Sequence, residues 1–383
     1  MCLYGTTMKT ALHNFRLIAD GAITSGKAVI IENGKIIDVI ADTQMPQEIK
    51  KIDLNQNFLA PGLIDLQVYG SGGKLLGSKY QEEALARMEA DFLTQGTTGF
   101  FATIGTNSNA LFEKVIVAAR NYRDRCKGNF LGLHLEGPFL NPDRKGAHLA
   151  EFMHKASLEE VKRWLELGDG VIRMMTIAPE LQDDAVINYL NDQGIILSSG
   201  HSNATYQQGK SFLNNPIKAV THLYNAMPQM HHREPGYIPA IFEERPYTSI
   251  VADGIHVDFA MIRLAKRELG DKLFLITDAV TETTEGTYPL HELRGTHYVM
   301  PPHHTLSGSC LTMIKAVKNC VEHCDISLAE AINMASLYPA QLASLNKGKI
   351  APGFDADMVV FNDDFEVQAT VFKGGINKVD IKF

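Results

Sequence analysis

The sequence predicts an α/β fold: a (β/α)8 TIM barrel with a small β-sandwich domain formed from both termini. Three observations point there. Short apolar runs alternate with amphipathic stretches through the middle of the chain. Both ends read as strands and turns without helical period. Ionisable residues fall repeatedly where the central apolar runs stop, which is the barrel end that carries active sites. The 383 residues leave room for about two or three domains, and the expected division is residues 1–60 plus 345–383 for the β domain and 61–344 for the barrel.

In chain order, Ala28–Ile31 and Ile36–Ile40 flank Asn33-Gly34, the dipeptide that favours a tight hairpin because both positions tolerate positive φ. Eight candidate strands follow: Leu63–Val68, Thr98–Ile104, Phe130–Leu135, Val171–Ile177, Ile195–Ser199, Ala219–His222, Thr248–Ala252 and Leu273–Thr277. Between most of them lie stretches of helical period: Gln81–Gln95, Ala110–Arg125, Leu158–Leu167, Leu181–Asp192, Thr205–Asn214 and Phe259–Leu269. Ser309–His323 and Leu328–Ala335 continue that pattern after the eighth strand. The chain then returns to β character with the turn Pro352-Gly353, the run Met358–Phe361 and Val367–Phe372.

The net charge of −8 and the lack of a basic tract argue against a nucleic-acid partner. No apolar run approaches the ~18 residues of a membrane span, and polar Met1–Thr10 does not read as a secretory leader. A cytoplasmic protein that binds neither nucleic acid nor membrane is expected. The five cysteines (Cys2, Cys126, Cys310, Cys320 and Cys324) show no disulfide or zinc-finger spacing.

The strand ends carry the chemistry. Asp65 and Gln67 close the first strand, His134 and Glu136 the third, His201 the fifth, His222 the sixth, Asp253 with His256 the seventh, and Asp278 the eighth. A lone histidine at such a place is more often a satisfied polar residue than a ligand. A carboxylate with two imidazoles converging on one barrel mouth, however, is a typical catalytic zinc set with an open position. Glu136, His201 and His222 are therefore the candidate ligands of one divalent ion. Zinc leads, and iron, manganese and cobalt suit the same donors. Such an ion acidifies water and polarises a carbonyl. Asp278 is then placed to accept the proton of the water and return it to a leaving amine. The alternative for Asp278, a helix N-cap, is weakened because Ala279–Gly286 does not read as a helix.

The motifs Pro61-Gly62-Leu63-Ile64-Asp65, His134-Leu135-Glu136-Gly137-Pro138-Phe139, Ser199-Gly200-His201-Ser202, Thr221-His222-Leu223-Tyr224-Asn225-Ala226-Met227, Ala252-Asp253-Gly254-Ile255-His256 and Ile276-Thr277-Asp278-Ala279 stand at these strand ends. Together they closely resemble those of N-acetylglucosamine-6-phosphate deacetylases of the amidohydrolase superfamily. The likeness extends through Leu306-Ser307-Gly308-Ser309 and Lys349–Asp357, in order along essentially the whole chain. It implies a homodimer or larger homo-oligomer that hydrolyses the acetamide of N-acetylglucosamine 6-phosphate. It matches Glu136, His201 and His222 to metal ligands and Asp278 to the acid/base. Ala147 with His148, and His256, match substrate contacts. Asn225 and Ala226 match the segment that receives the phosphate, and Arg233 matches an arginine reaching the neighbouring subunit's site. Leu306, Ser307 and Gly308 match a loop that closes over the substrate. The run His231-His232-Arg233 is the densest cationic cluster near the sixth strand, as a phosphate would need; Arg233 paired with Glu234 at the surface is the plainer reading.

One departure bears on the metal count. Many amidohydrolases carry His-x-His after the first strand, and those histidines hold a second ion. Here the residues are Gln67 and Tyr69, both poor ligands. One ion is expected, with Gln67 hydrogen-bonding water beside it. Three rivals remain: another deacetylase or cyclic-amide hydrolase on the same scaffold, such as one acting on the galacto epimer, a silent sugar-phosphate sensor and a structural metal protein. The sensor would need a lesion among Glu136, His201, His222 and Asp278, which is not seen. A structural zinc would show four closed ligands rather than three.

Overall fold

A computed structural model describes residues 9–283, 286, 291–301 and 304–378; Cys2 and the polar start at Met1 lie outside them. The barrel strands are β1 (Leu63–Val68), β2 (Thr97–Gly105), β3 (Phe130–Glu136), β4 (Ile172–Ile177), β5 (Ile196–Ser199), β6 (Ala219–Val220), β7 (Tyr247–Val251) and β8 (Leu273–Ile276). They pair in parallel and in sequential order. Nearly every strand residue is buried because helices cover the outer face and side chains fill the inside.

The helices are α1 (Gln81–Thr94), α2 (Asn109–Arg123), α3 (Leu158–Gly168), α4 (Asp184–Asp192), α5 (Tyr206–Phe212), α6 (Tyr237–Glu244), α7 (Phe259–Leu269), α8 (Met313–His323), α9 (Leu328–Ala335) and α10 (Leu337–Leu342). Serine, threonine and aspartate side chains cap α3, α5, α7, α8 and α9 by accepting backbone N–H bonds.

Closure falls between β1 and β8. The Asp278 N–H donates to the Gln67 carbonyl at 2.9 Å, and the Tyr69 N–H donates to the Ala279 carbonyl at 2.9 Å. Buried Asp65 reinforces this seam by accepting bonds from the Thr277 N–H (3.2 Å) and hydroxyl.

The structure corrects three expectations. The sixth strand stops at Val220 rather than His222, because His222 adopts left-handed backbone with φ 35°. The fourth helix starts at Asp184, after a separate 3-10 turn Pro179–Leu181. Leu306, Ser307 and Gly308, expected in a loop, lie in a strand, Thr305–Ser309. That strand pairs antiparallel with His297–Met300, and its end bridges Ala279 at the barrel seam.

The terminal segments form two sheets. One contains Thr10–His13, Lys27–Glu32, Lys35–Ala41 and Lys50–Asp53; Asn33 and Gly34 make the hairpin with φ 51° and 73°. The other contains Arg16–Ala19, Ala22–Thr24 and Phe58–Pro61 together with Met358–Phe361, Val367–Phe372 and Gly375–Lys378. The sheets face each other over Leu12, Val29, Ile31, Leu59, Met358 and Val360. The alternate residues Ile18, Ala60, Val359 and Phe361 point the other way, into the barrel's core. The inner strands of this second sheet, such as Met358–Phe361, are thus buried on both faces, and their period-2 alternation divides them between two cores.

Candidate active site

Glu136 ends β3 and is 1% exposed. His201 and His222 follow β5 and β6, each 4% exposed. Both histidines, and Asp278 after β8, have positive φ (48°, 35° and 53°), a conformation that costs about 1–3 kcal/mol for a residue with a side chain. The barrel's hydrogen bonds continue past the strand ends and hold it. Thr221 N donates to the Ser199 carbonyl at 2.9 Å, Leu223 N to the Ser249 carbonyl at 2.8 Å, and Gly200 N to the Ile177 carbonyl at 3.0 Å.

Glu136 Oε1 lies 2.9 Å from His222 Nε2 and 3.5 Å from His201 Nε2, and the two imidazole nitrogens are 3.2 Å apart. Three donors around one tetrahedral ion, each at ~2.0–2.1 Å, stand about 3.3 Å apart. The tautomers agree with this spacing. His201 Nδ1–H donates to the Arg144 carbonyl at 2.7 Å, which leaves its Nε2 lone pair aimed at the other two donors. Burial and the neighbouring His148 push the His201 pKa down, favouring the neutral ring. His222 Nδ1 is buried without a partner among the described residues, where only its Nε2 is engaged. The donor set fits a divalent ion.

His148 also belongs to this cluster: one donor atom each from Glu136, His148 and His201 lies within 4.8 Å of the others. Its tautomer differs, however. His148 Nδ1 accepts the Thr106 N–H at 3.1 Å, so the ring of a neutral His148 carries its proton on Nε2, 3.2 Å from Glu136 Oε2. That nitrogen donates. Burial would raise the Glu136 pKa, but the imidazoles of His148, His201 and His222 around it outweigh burial and hold the carboxyl well below its usual range.

Asp278 Oδ1 accepts from Gln67 Nε2 at 2.8 Å; the same amide lies 3.1 Å from Glu136 Oε1 and 3.2 Å from the Tyr69 hydroxyl. Gln67 thus touches both carboxylates. Burial raises the Asp278 pKa well above the ordinary carboxylate value; Glu136 and Asp65 add to the rise, while His222 and Gln67 oppose it. Asp65, buried behind them, is pushed up to about 7 by desolvation despite its bonds from Thr277 and Gln67.

These groups open onto a cavity of about 950 Å³ including its mouth. Its walls include Glu136, His201, His222 and Asp278 with Ala147, His148, Asn225, Ala226, His256, Leu306, Ser307 and Gly308. Of the residues singled out from the sequence, Gln67 lies behind the wall and Arg233 lies away from it, exposed on the segment after β6. His256 Nδ1 lies 2.6 Å from the Asp253 carboxylate and its Nε2 lies 2.9 Å from the Ser307 carbonyl. His256 therefore fastens the strand that covers the pocket.

The wall also holds Tyr69, Asn107 and His291, which sequence reasoning did not place there. Asn107 is a polar residue just past β2, the same signal that exposed the others. His291 lies in no periodic segment. It bonds the Ser307 hydroxyl at 3.0 Å, and burial depresses its pKa to about 4.

The family model for the amidohydrolase family matches residues 58–376. An N-acetylglucosamine-6-phosphate deacetylase of Haemophilus influenzae is 37% identical, covering 96% of this chain and 99% of its own. The enzyme of the same name from Bacillus subtilis is 33% identical over 94% of this chain and 96% of its own. The crystal structure of N-acetylglucosamine-6-phosphate deacetylase from Pasteurella multocida superposes with a TM-score of 0.89 at 32% identity, covering 97% of this chain and all (100%) of that one.

Proposed function

The chain belongs to the amidohydrolase family, and on that premise we propose that it hydrolyses the acetamide of N-acetyl-D-glucosamine 6-phosphate to D-glucosamine 6-phosphate and acetate. The observation that carries this reading is the meeting of three metal-type donors with Asp278 on one pocket wall. The names of its relatives supply the substrate. The setting is amino-sugar catabolism in the cytoplasm.

Glu136, His201 and His222 would hold one divalent ion, zinc first and iron, manganese or cobalt by the same donor chemistry. When bound, it supplies Lewis acidity at the scissile amide. Asp278 takes the proton of the attacking water and delivers it to the departing amine; its raised pKa lets it hold that proton between the two steps. Gln67 orients the Asp278 carboxylate. His148, with its Nε2–H at the pocket wall, donates to the acetamide oxygen as negative charge develops there. His256 contacts the sugar, and Ala147, Leu306, Ser307 and Gly308 enclose it. Asn225 and Ala226 receive the phosphate, joined by Arg233 from a second subunit of a homo-oligomer. Residues 61–344 act as the catalytic barrel domain, and residues 1–60 with 345–383 as its β domain.

The test is acetate release from the purified protein, before and after chelation and metal add-back, with the galacto epimer run alongside. Activity on the gluco substrate that disappears with the ion and returns with it is the expected result. No release from folded, metal-loaded protein, or release from the epimer alone, overturns the proposal.

A further inference from the structure

We propose that Glu180 is a positioning residue that fixes His201 in its ion-binding orientation; the proposal rests on reading His201 as a metal ligand. Glu180 sits in the turn Pro179–Leu181 beyond β4, half-buried and off the pocket wall. Its carboxylate accepts three hydrogen bonds. Oε1 receives the Asn203 N–H at 2.7 Å and the Asn141 side-chain amide at 3.0 Å, and Oε2 receives the Ser202 hydroxyl at 2.7 Å.

Ser202 and Asn203 are the two residues after His201, which stands in left-handed backbone that side chains rarely tolerate. The other partners lead back to His201 as well. The Asn141 N–H donates to the His201 carbonyl at 3.0 Å. The Asn203 side-chain oxygen accepts from Arg144 Nε at 2.8 Å, and the Arg144 carbonyl accepts the His201 Nδ1–H at 2.7 Å. One carboxylate thus anchors both the backbone of His201 and the peptide that sets its tautomer. The acceptor on Nδ1 is what turns the Nε2 lone pair toward Glu136 and His222. Partners of this kind commonly contribute about 10–100-fold to metal affinity or activity.

The experiment is Zn²⁺ competition against a chromophoric chelator for wild type, Glu180→Gln, Glu180→Ala and His201→Ala, with the absorption bands of the Co²⁺-loaded forms. Glu180→Gln keeps the shape and one oxygen. It is expected to weaken Zn²⁺ binding about tenfold and shift the Co²⁺ bands while the metal-free protein melts where wild type does. Glu180→Ala is expected to weaken binding further, within the ~10–100-fold range. Zn²⁺ held by both Glu180 variants as tightly as by wild type, with His201→Ala losing it, overturns the positioning role alone. A lowered melting point of metal-free Glu180→Gln also overturns it, in favour of a general structural role. Wild-type affinity in His201→Ala overturns the underlying ligand reading, and this proposal with it.

Discussion

If Asp278 takes a proton and gives it back, as proposed, a pKa closer to neutrality than that of free aspartate serves it best, and burial beside Glu136 and Asp65 raises it in that direction. Asp278→Asn should lower turnover by about 10²–10⁴-fold with KM little changed, read from acetate release. Because the wild-type base is lost on protonation and its pKa is raised, kcat/KM should fall on the acid side at a pH above that of an ordinary aspartate. Asp65 makes a separate prediction about stability. Its folded pKa of about 7 lies above the ordinary aspartate value of 3.8, so between those values the folded state binds a proton that the unfolded chain does not. Stability from this group is therefore present at low pH and lost as pH rises toward and through 7. In chelator-stripped protein, Asp65→Asn should flatten that loss by a few kcal/mol, at about 1.4 kcal/mol for each pH unit that separates the folded and unfolded titrations. Urea unfolding at pH 5 and pH 8 measures it. The strand-end residues were legible because a polar group after an apolar run stands out. The distant partners of Gln67 and Asp65 (Glu136, Asp278 and Thr277) were not, since they lie 69 to 212 residues away.

Among elements, the Asn33-Gly34 hairpin and the repeated strand-helix pattern could be read directly, because turn chemistry and period are local. Helix α6 could not. It is eight residues long with Pro239 inside it, and it exists by packing. Gly209 of α5 lies so close that an added Cβ would stand 2.9 Å from both Ala240 and Tyr237. The sheet of Glu292–Arg294, His297–Met300 and Thr305–Ser309 was equally hidden, since only its antiparallel pairing defines it. Packing also supports the turn beyond Glu136. Trp164 of α3 is fully buried and stacks on Phe112 of α2 at 4.9 Å and on Phe139, three residues past Glu136, at 5.4 Å. Trp164→Ala should destabilise the fold by about 3–5 kcal/mol, visible as a lower urea midpoint.

For the whole molecule, the sequence revealed that both termini are β-like and that Met358–Phe361 is apolar at every position, as a strand covered on two sides must be. It did not reveal that this sheet serves the sandwich with one face and the barrel with the other. Assembly beyond one chain adds a further prediction. If Arg233 completes a neighbour's phosphate site, Arg233→Ala should raise KM roughly tenfold or more with kcat nearly kept, and dilution of wild type to monomers should do the same in steady-state assays. The barrel seam has a consequence of another kind. Gln67 and Asp278 are 211 residues apart and meet only where the last strand docks on the first. If Asp278 carries the proton as proposed, a barrel with every stave but the last in place still lacks that group, and the site is complete only when the wall is.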